Sequence, residues 1–159
     1  MTTIRRMGPR DELAVSLLLC ECYRWLAAVE RYSPQQLDFL IAERGSLKTV
    51  QVESRDQPYL VACRDETIIG MVAVAENVIT KLCVASEHHR QGIGTALFDA
   101  AEASVRDAGF DRMTLGTTPS AVAFYERRGM RAMGHKLHRA GVFCGRETVL
   151  MEKTLRAQA

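Results

Sequence analysis

Residues 82–97 read Leu-Cys-Val-Ala-Ser-Glu-His-His-Arg-Gln-Gly-Ile-Gly-Thr-Ala-Leu. An apolar segment leads into a loop with two glycines, and a helical pattern follows. The first turn of a helix carries backbone N–H groups without intrahelical acceptors and a partial positive charge. Glycine lets an anion approach that backbone closely. The chemistry that suits this arrangement is binding of a phosphate or pyrophosphate. A Gly-x-Gly before a helix also serves tight packing, so spacing alone leaves both readings open. Two familiar phosphate loops are excluded. Thr95 has no preceding lysine, so Gly-x-x-x-x-Gly-Lys-[Ser/Thr] is absent. Leu97 stands where Gly-x-Gly-x-x-Gly needs its third glycine, which argues against nicotinamide cofactors.

Other reactive side chains are scattered. His88 and His89 form a pair in the loop, which reads as solvated rather than metal-binding. His135 and His138 have no carboxylate or cysteine at ligand spacing, so no metal is expected there. The five cysteines, Cys20, Cys22, Cys63, Cys83 and Cys144, are irregularly spaced. They read as free thiols in a reducing compartment. Cys83 reads as an apolar filler rather than a nucleophile.

The elements that position these residues alternate in type. A short strand over 3–6 gives way at Gly8-Pro9 to a long helix reaching about residue 31. Val15, Leu18, Cys22, Trp25 and Val29 make one apolar stripe along it, which places Trp25 in the core. Ser33-Pro34 opens a second helix, ended by Gly45. Strand-like runs follow over 59–63, 68–74 and 79–85. A helix over 95–108 presents Ile93, Leu97, Ala101 and Val105 at spacing four. A strand over 112–117 comes next, then a helix capped by Thr118-Pro119. Two strands, 130–137 and 146–155, end the chain. The order implies a mixed α/β fold with at least one parallel crossover.

The chain of 159 residues reads as one domain, 1–159, with 47% hydrophobic and 25% charged residues. Disordered, collagen-like and disulfide-scaffold classes are excluded. With 21 basic and 19 acidic residues the net charge is +2, too balanced for a dedicated nucleic-acid binder. Only 6% of residues are aromatic, which disfavours a single-strand stacking platform. No secretory h-region and no bilayer-length apolar run is visible, so the chain reads as cytoplasmic, with no membrane partner.

The stretch His89-Arg-Gln-Gly-Ile-Gly94 resembles the central motif of the GNAT superfamily of N-acetyltransferases, [Arg/Gln]-x-x-Gly-x-[Gly/Ala] after a strand. Residues 120–130, Ser-Ala-Val-Ala-Phe-Tyr-Glu-Arg-Arg-Gly-Met, are similar to the family's downstream Ala-x-x-[Leu/Phe]-Tyr-x-x-x-Gly-Phe. Both motifs are in register, and the element order fits over essentially the whole chain. The resemblance implies a mixed sheet of six or seven strands, splayed at its central parallel pair and flanked by about four helices. It implies acetyl transfer from acetyl-CoA to an amine by direct attack in a ternary complex. Leu82, Cys83 and Val84 would pair with the pantetheine arm. His89, Arg90, Gln91, Gly92, Ile93, Gly94 and Thr95 would surround the pyrophosphate, and Thr118 and Tyr125 would also touch the cofactor. Tyr125 matches the family's general acid; from its own pattern it reads equally as a core tyrosine. His89 stands where the family usually has Arg or Gln, and Thr118 where many members have Asn. As a helix N-cap Thr118 is adequate. Members often place a basic carboxylate near the start of the strand before the loop. Val78 holds that position here, leaving Glu76 as candidate base, with a water relay as the alternative.

Met130 to Arg146 contains Arg131, Lys136, Arg139 and Arg146 and no carboxylate. Such a rim disfavours polycations and suits an acceptor carrying a carboxylate or phosphate. Tyr23, Trp25 and Tyr32 are the aromatic candidates for an acceptor pocket. The expected acceptor is a small-molecule amine. The alternatives are a protein or peptide acceptor, or a non-catalytic acyl-CoA-binding module, suggested by His89 and Val78. Many members pair as homodimers, and the sequence shows no interface that decides this.

Overall fold

A computed structural model describes residues 1–155; the last four residues of the expected 1–159 domain lie outside the described residues. β1 (Thr2–Arg6) leads through a 3-10 turn, Pro9–Asp11, into α1 (Glu12–Glu30). α2 (Pro34–Leu40) and α3 (Leu47–Glu53) follow, joined by a π-helical turn, Ile41–Gly45. Then come β2 (Tyr59–Arg64), β3 (Thr67–Ala75), β4 (Val78–Val84), α4 (Ile93–Asp107), β5 (Arg112–Thr117), α5 (Val122–Glu126), β6 (Arg131–Leu137) and β7 (Glu147–Thr154). Seven strands form one sheet in the order β1-β2-β3-β4-β5-β7-β6. All neighbours are antiparallel except β4 and β5. That parallel pair meets only at Val78 and Thr114, so the strands part towards Val84 and Thr117. The splayed sheet is as expected.

The opening has a local cause. Lys81 faces Ala73 and Ile79 faces Val74, so Thr80 is an extra residue on β4. Such a bulge bends its strand and breaks the ladder. The carbonyl of Thr80 leaves the sheet and accepts from Arg44 Nη2 at 2.9 Å. Apolar cores cover both faces. α4 and α5 pack Ile93, Leu97, Phe98, Ala101, Val105 and Tyr125 on one. α1, α2 and α3 pack Val15, Leu18, Leu19, Tyr23, Leu40 and Val50 on the other. The spacing-four stripe of α4 is therefore its buried face. Ser33 caps α2 reciprocally with Gln36, at 3.2 and 3.0 Å.

Three expectations are corrected. There are five α-helices among the described residues, because α3 was not anticipated. Its sequence, Leu-Lys-Thr-Val-Gln-Val-Glu, is short and β-branched, which hides a helix from propensity. It forms because Ser46 Oγ accepts from Thr49 N at 3.2 Å and Val50 is fully buried. Trp25 is not in the core: it is 44% exposed, and Val29 is exposed too. α1 has apolar residues almost all round, so periodicity alone selects no single face. The face that packs runs through Val15, Leu18, Leu19, Tyr23 and Ala27. Finally, α5 begins at Val122 after a 3-10 turn, Pro119–Ala121. Thr118 contributes its carbonyl there; its hydroxyl meets Ser120 Oγ at 3.2 Å and makes no cap.

Candidate functional site

The loop between β4 and α4 is built to leave donors free. A 3-10 turn over Ser86–His88 ends at His89. Arg90 (φ 61°) and Gly92 (φ 80°) then take left-handed backbone conformations. The first intrahelical bond is Ala96 N to the carbonyl of Gly92, at 3.0 Å. The backbone N–H groups of residues 90–95 have no acceptor among the described residues. Consecutive N–H groups in such a turn, at a helix N-terminus, make an anion-binding concavity. Arg90 is exposed beside it. Gln91 is turned elsewhere: its Oε1 accepts from Arg64 Nη1 at 2.8 Å, anchoring the loop to β2.

His89 is turned towards the protein. Its Nε2 donates to the carbonyl of Val84 at 2.9 Å, and its ring stands edge-on to Trp25, centroids 4.7 Å apart. It fastens the loop to both β4 and α1. His88 is half-buried, with Nδ1 lacking a partner and Nε2 3.7 Å from Glu87, so the histidine pair is less solvated than expected. His135 Nδ1 meets Glu147 Oε1 at 2.5 Å, a carboxylate that sequence spacing did not reveal. No group of three His, Cys, Asp or Glu residues that could hold a metal ion occurs among the described residues.

β4 supplies the open edge. Ala85 N donates to the carbonyl of Ile69 at 2.9 Å. Antiparallel pairs alternate between bonded and non-bonded. Cys83 and Lys81 therefore bond to β3, while Leu82 and Val84 turn their backbone groups away from it. The Cys83 side chain faces α1. Its thiol is lowered by a hydrogen bond from Cys22 and, more weakly, by Lys81 and Arg44 nearby. Cys22 Sγ also lies 3.5 Å from the carbonyl of Val84.

Across the cleft, α5 holds Tyr125 at 7% exposure, its ring 6.1 Å from Phe98 and 5.1 Å from Phe124. A Cβ at Gly94 would stand 3.3 Å from the ring of Phe124. Glycine there lets α5 lie against the first turn of α4, so the loop and Tyr125 are brought together. The hydroxyl has no hydrogen-bond partner among the described residues. Burial, with the Cys83 thiol adding to it, pushes the phenol well above its usual value, so it is a neutral donor throughout the physiological range. Glu76 is placed apart. It is exposed in the β3–β4 turn at φ 55°, beyond the end where β4 and β5 remain paired.

An acetyltransferase (GNAT) domain model matches residues 28–155. The chain belongs to the GNAT acetyltransferase family. It is an N-acetyltransferase that uses acetyl-CoA. Solved GNAT structures share its fold. A GCN5-related N-acetyltransferase from Rhodopseudomonas palustris matches with a TM-score of 0.86 at 20% identity, covering 98% of this chain and 96% of that one. PaiA N-acetyltransferase from Thermoplasma acidophilum, in complex with coenzyme A, gives 0.79 at 22%, covering 97% and 99%. The ribosomal-protein-S18-alanine N-acetyltransferase of Escherichia coli gives 0.68 at 16%, covering 100% and 97%. No curated protein matches the sequence. No helix among the described residues is long and apolar enough to cross a membrane.

This GNAT acetyltransferase carries a polar cluster that sequence reasoning missed. Lys81, on β4, is buried and ion-paired with Glu53 of α3. Tyr59 donates to the same carboxylate oxygen at 2.8 Å. Arg44 donates from Nε to the Tyr23 hydroxyl at 3.3 Å. Burial would raise Glu53, but its bonds from Lys81 and Tyr59 outweigh that and hold it below the usual carboxylate value. For Lys81 burial wins, and its ammonium is lowered despite the same pairing. Glu53→Gln would leave the Lys81 charge buried and unpaired. Full burial of both partners would make that a loss of several kcal/mol. Glu53 is 30% exposed, so a loss of about 2 kcal/mol is expected. Thermal melting should record it as a fall of about 4–8 °C at neutral pH. Because the folded carboxylate is lowered, its contribution is present above about pH 4.3 and disappears as pH falls through the folded value. The gap between the two proteins should therefore close in acid.

The β6–β7 loop is bridged to the junction of α1 and α2. Arg146, at the end of the β6–β7 loop, donates from Nη1 to the carbonyl of Glu30 at 2.8 Å and from Nη2 to that of Arg31 at 2.5 Å. Its guanidinium lies 4.9 Å from the ring centroid of Tyr32. Phe143 packs edge-on against Tyr32 and Phe39 at 5.4 and 5.8 Å. Gln36 Nε2 donates to the carbonyl of Val142 at 3.0 Å. Arg131 is engaged by Glu152 at 2.9 Å. Two of the four basic residues of the expected rim are thus already paired.

Proposed function

We propose that this chain acetylates a small-molecule amine. One observation carries the reading: the β6–β7 loop is tied through Arg146, Phe143 and Gln36 to the junction of α1 and α2. Tied in this way, the two segments leave less room between them for a polypeptide than for a small amine. The six free N–H groups of residues 90–95 fit a pyrophosphate, and the outward backbone of Leu82 with the N–H of Val84 fits the amides of a pantetheine arm. When bound, acetyl-CoA supplies a thioester carbonyl to the amine and a thiolate leaving group. Tyr125 donates a hydrogen bond to the sulfur as charge develops there. Glu53 is engaged by Lys81 and Tyr59, and Glu76 lies outside the cleft. The amine therefore reaches the site already neutral.

Thiol release from acetyl-CoA tests this, using free amines and amino acids beside peptides with free N-termini and lysines. Turnover of free amines supports the reading. Turnover of peptides alone overturns it in favour of a peptide acceptor. Acetyl-CoA binding without any turnover overturns it in favour of a binding module. His89→Ala removes the bond to Val84 and the contact with Trp25. Loss of one neutral hydrogen bond is about 1 kcal/mol, so calorimetry should show acetyl-CoA binding weakened about 5-fold. Unchanged affinity would mean that the loop needs no such fastening.

A further inference from the structure

We propose that Arg44 and Tyr23 form an anion-binding end of the acceptor site, so that the amine acetylated here carries a carboxylate. This rests on reading the cleft as the site of a small-amine acetyltransferase. The π-helical turn Ile41–Gly45 carries Arg44 over β4. Ser16 Oγ fixes the turn by donating to the carbonyl of Gly45 at 2.7 Å. The guanidinium is then held at two points, by the Tyr23 hydroxyl at 3.3 Å and by the displaced carbonyl of Thr80 at 2.9 Å. Its Nη1 donates to nothing among the described residues, and Arg44 is exposed. Tyr23 is only 8% exposed. Its hydroxyl accepts from Arg44, yet its own proton has no acceptor among the described residues. Two donors are thus pre-positioned and unused at the bulge, two positions before the outward backbone of Leu82.

Charge agrees with this assignment. Glu53 faces both Lys81 and Arg44, one negative charge against two positive, so one positive charge is left over. Arg131 and Arg146, two of the four basic residues of the expected rim, are engaged elsewhere. A guanidinium N–H beside a hydroxyl offers two donors, which matches the two oxygens of a carboxylate better than the three of a phosphate. The ligand class is a small amino-carboxylate, with its amine directed along β4 towards Leu82.

The test uses the full chain, acetyl-CoA and matched pairs: the common amino acids, β-alanine and 4-aminobutyrate, each beside its carboxamide. An amide lacks the anion and has the less basic amine, so simple chemistry favours the amide. The expected result is a carboxylate preference of at least about 10-fold in kcat/KM for one or more pairs, the size of one well-placed polar contact. Arg44→Gln should lower kcat/KM for the carboxylate about 30-fold, mainly through KM. The matching amide should change less than about 3-fold, and acetyl-CoA affinity by calorimetry less than about 2-fold. Arg44→Lys should fall between, because it keeps the charge without the fork. Equal turnover of both pair members, or equal losses for both in Arg44→Gln, would overturn the anion site while leaving acetyl transfer to small amines intact. Acetyl-CoA binding with no free amine turned over would overturn the small-amine reading and this inference with it.

Discussion

Gly92→Val is expected to weaken acetyl-CoA binding by about 30- to 100-fold, and to do so without unfolding the protein. Gly92 sits at φ 80°, and a Cβ built there meets nothing within 4 Å. Sterics with neighbours are therefore not the cost. The backbone conformation is, at about 1–2 kcal/mol for an L-residue. A β-branched side chain relieves the strain by rotating a flanking peptide, and either rotation turns an N–H out of the 90–95 array. A hydrogen bond to a charged group is worth about 1.5–3 kcal/mol, which is roughly 10- to 150-fold in affinity. Calorimetric titration with acetyl-CoA reads the loss, and the melting temperature separates it from unfolding. A variant that melts a few degrees lower but binds as tightly as wild type would show that the array is not the pyrophosphate cradle.

The loop was legible because its information is contiguous: strand, glycines and helix start lie within sixteen residues, and a helix N-terminus has unmade bonds whatever surrounds it. The stripe of α4 was legible for a similar reason, since its other face is polar. The polar cluster was not. Tyr23, Arg44, Glu53 and Lys81 come from four separate elements, and nothing local to any of them marks it as polar core. The bulge at Thr80 depends on how β3 and β4 pair, and no residue type in β4 announces it. Trp25 and His89 show the same limit from opposite sides. A tryptophan on an apolar stripe reads as core, and a histidine in place of Arg or Gln reads as a lost donor. Edge-on contact between them, with the His89 bond to Val84, is a tertiary solution that turns both departures into a fastening. Glu76 adjoins the start of β4 in sequence, which puts it at the paired end, where the sheet is closed.

Tyr125→Phe is expected to slow acetyl transfer by about 10- to 100-fold with acetyl-CoA affinity nearly unchanged. The ring contacts with Phe98 and Phe124 survive the substitution, so the fold and cleft should persist. A thioester sulfur is a weak acceptor, and the hydroxyl contributes little to binding the ground state. As the carbon–sulfur bond breaks, the sulfur gains charge and the bond from the phenol strengthens, which is the differential that lowers a barrier. The phenol is raised by burial, above the reference value of about 10, while a thiol titrates near 8.5. Full proton transfer to the thiolate is therefore uphill, and a strong hydrogen bond is the contribution left. At about 1.5–3 kcal/mol it corresponds to the stated range of rate. The phenol stays protonated across the working range, so the pH at which the rate levels off should belong to the acceptor amine and be the same in wild type and variant. Single-turnover rates across pH decide the matter, because product release cannot mask them. An unchanged single-turnover rate would leave Tyr125 as a core residue, and a shifted pH limb would mean that the phenol itself titrates during the reaction.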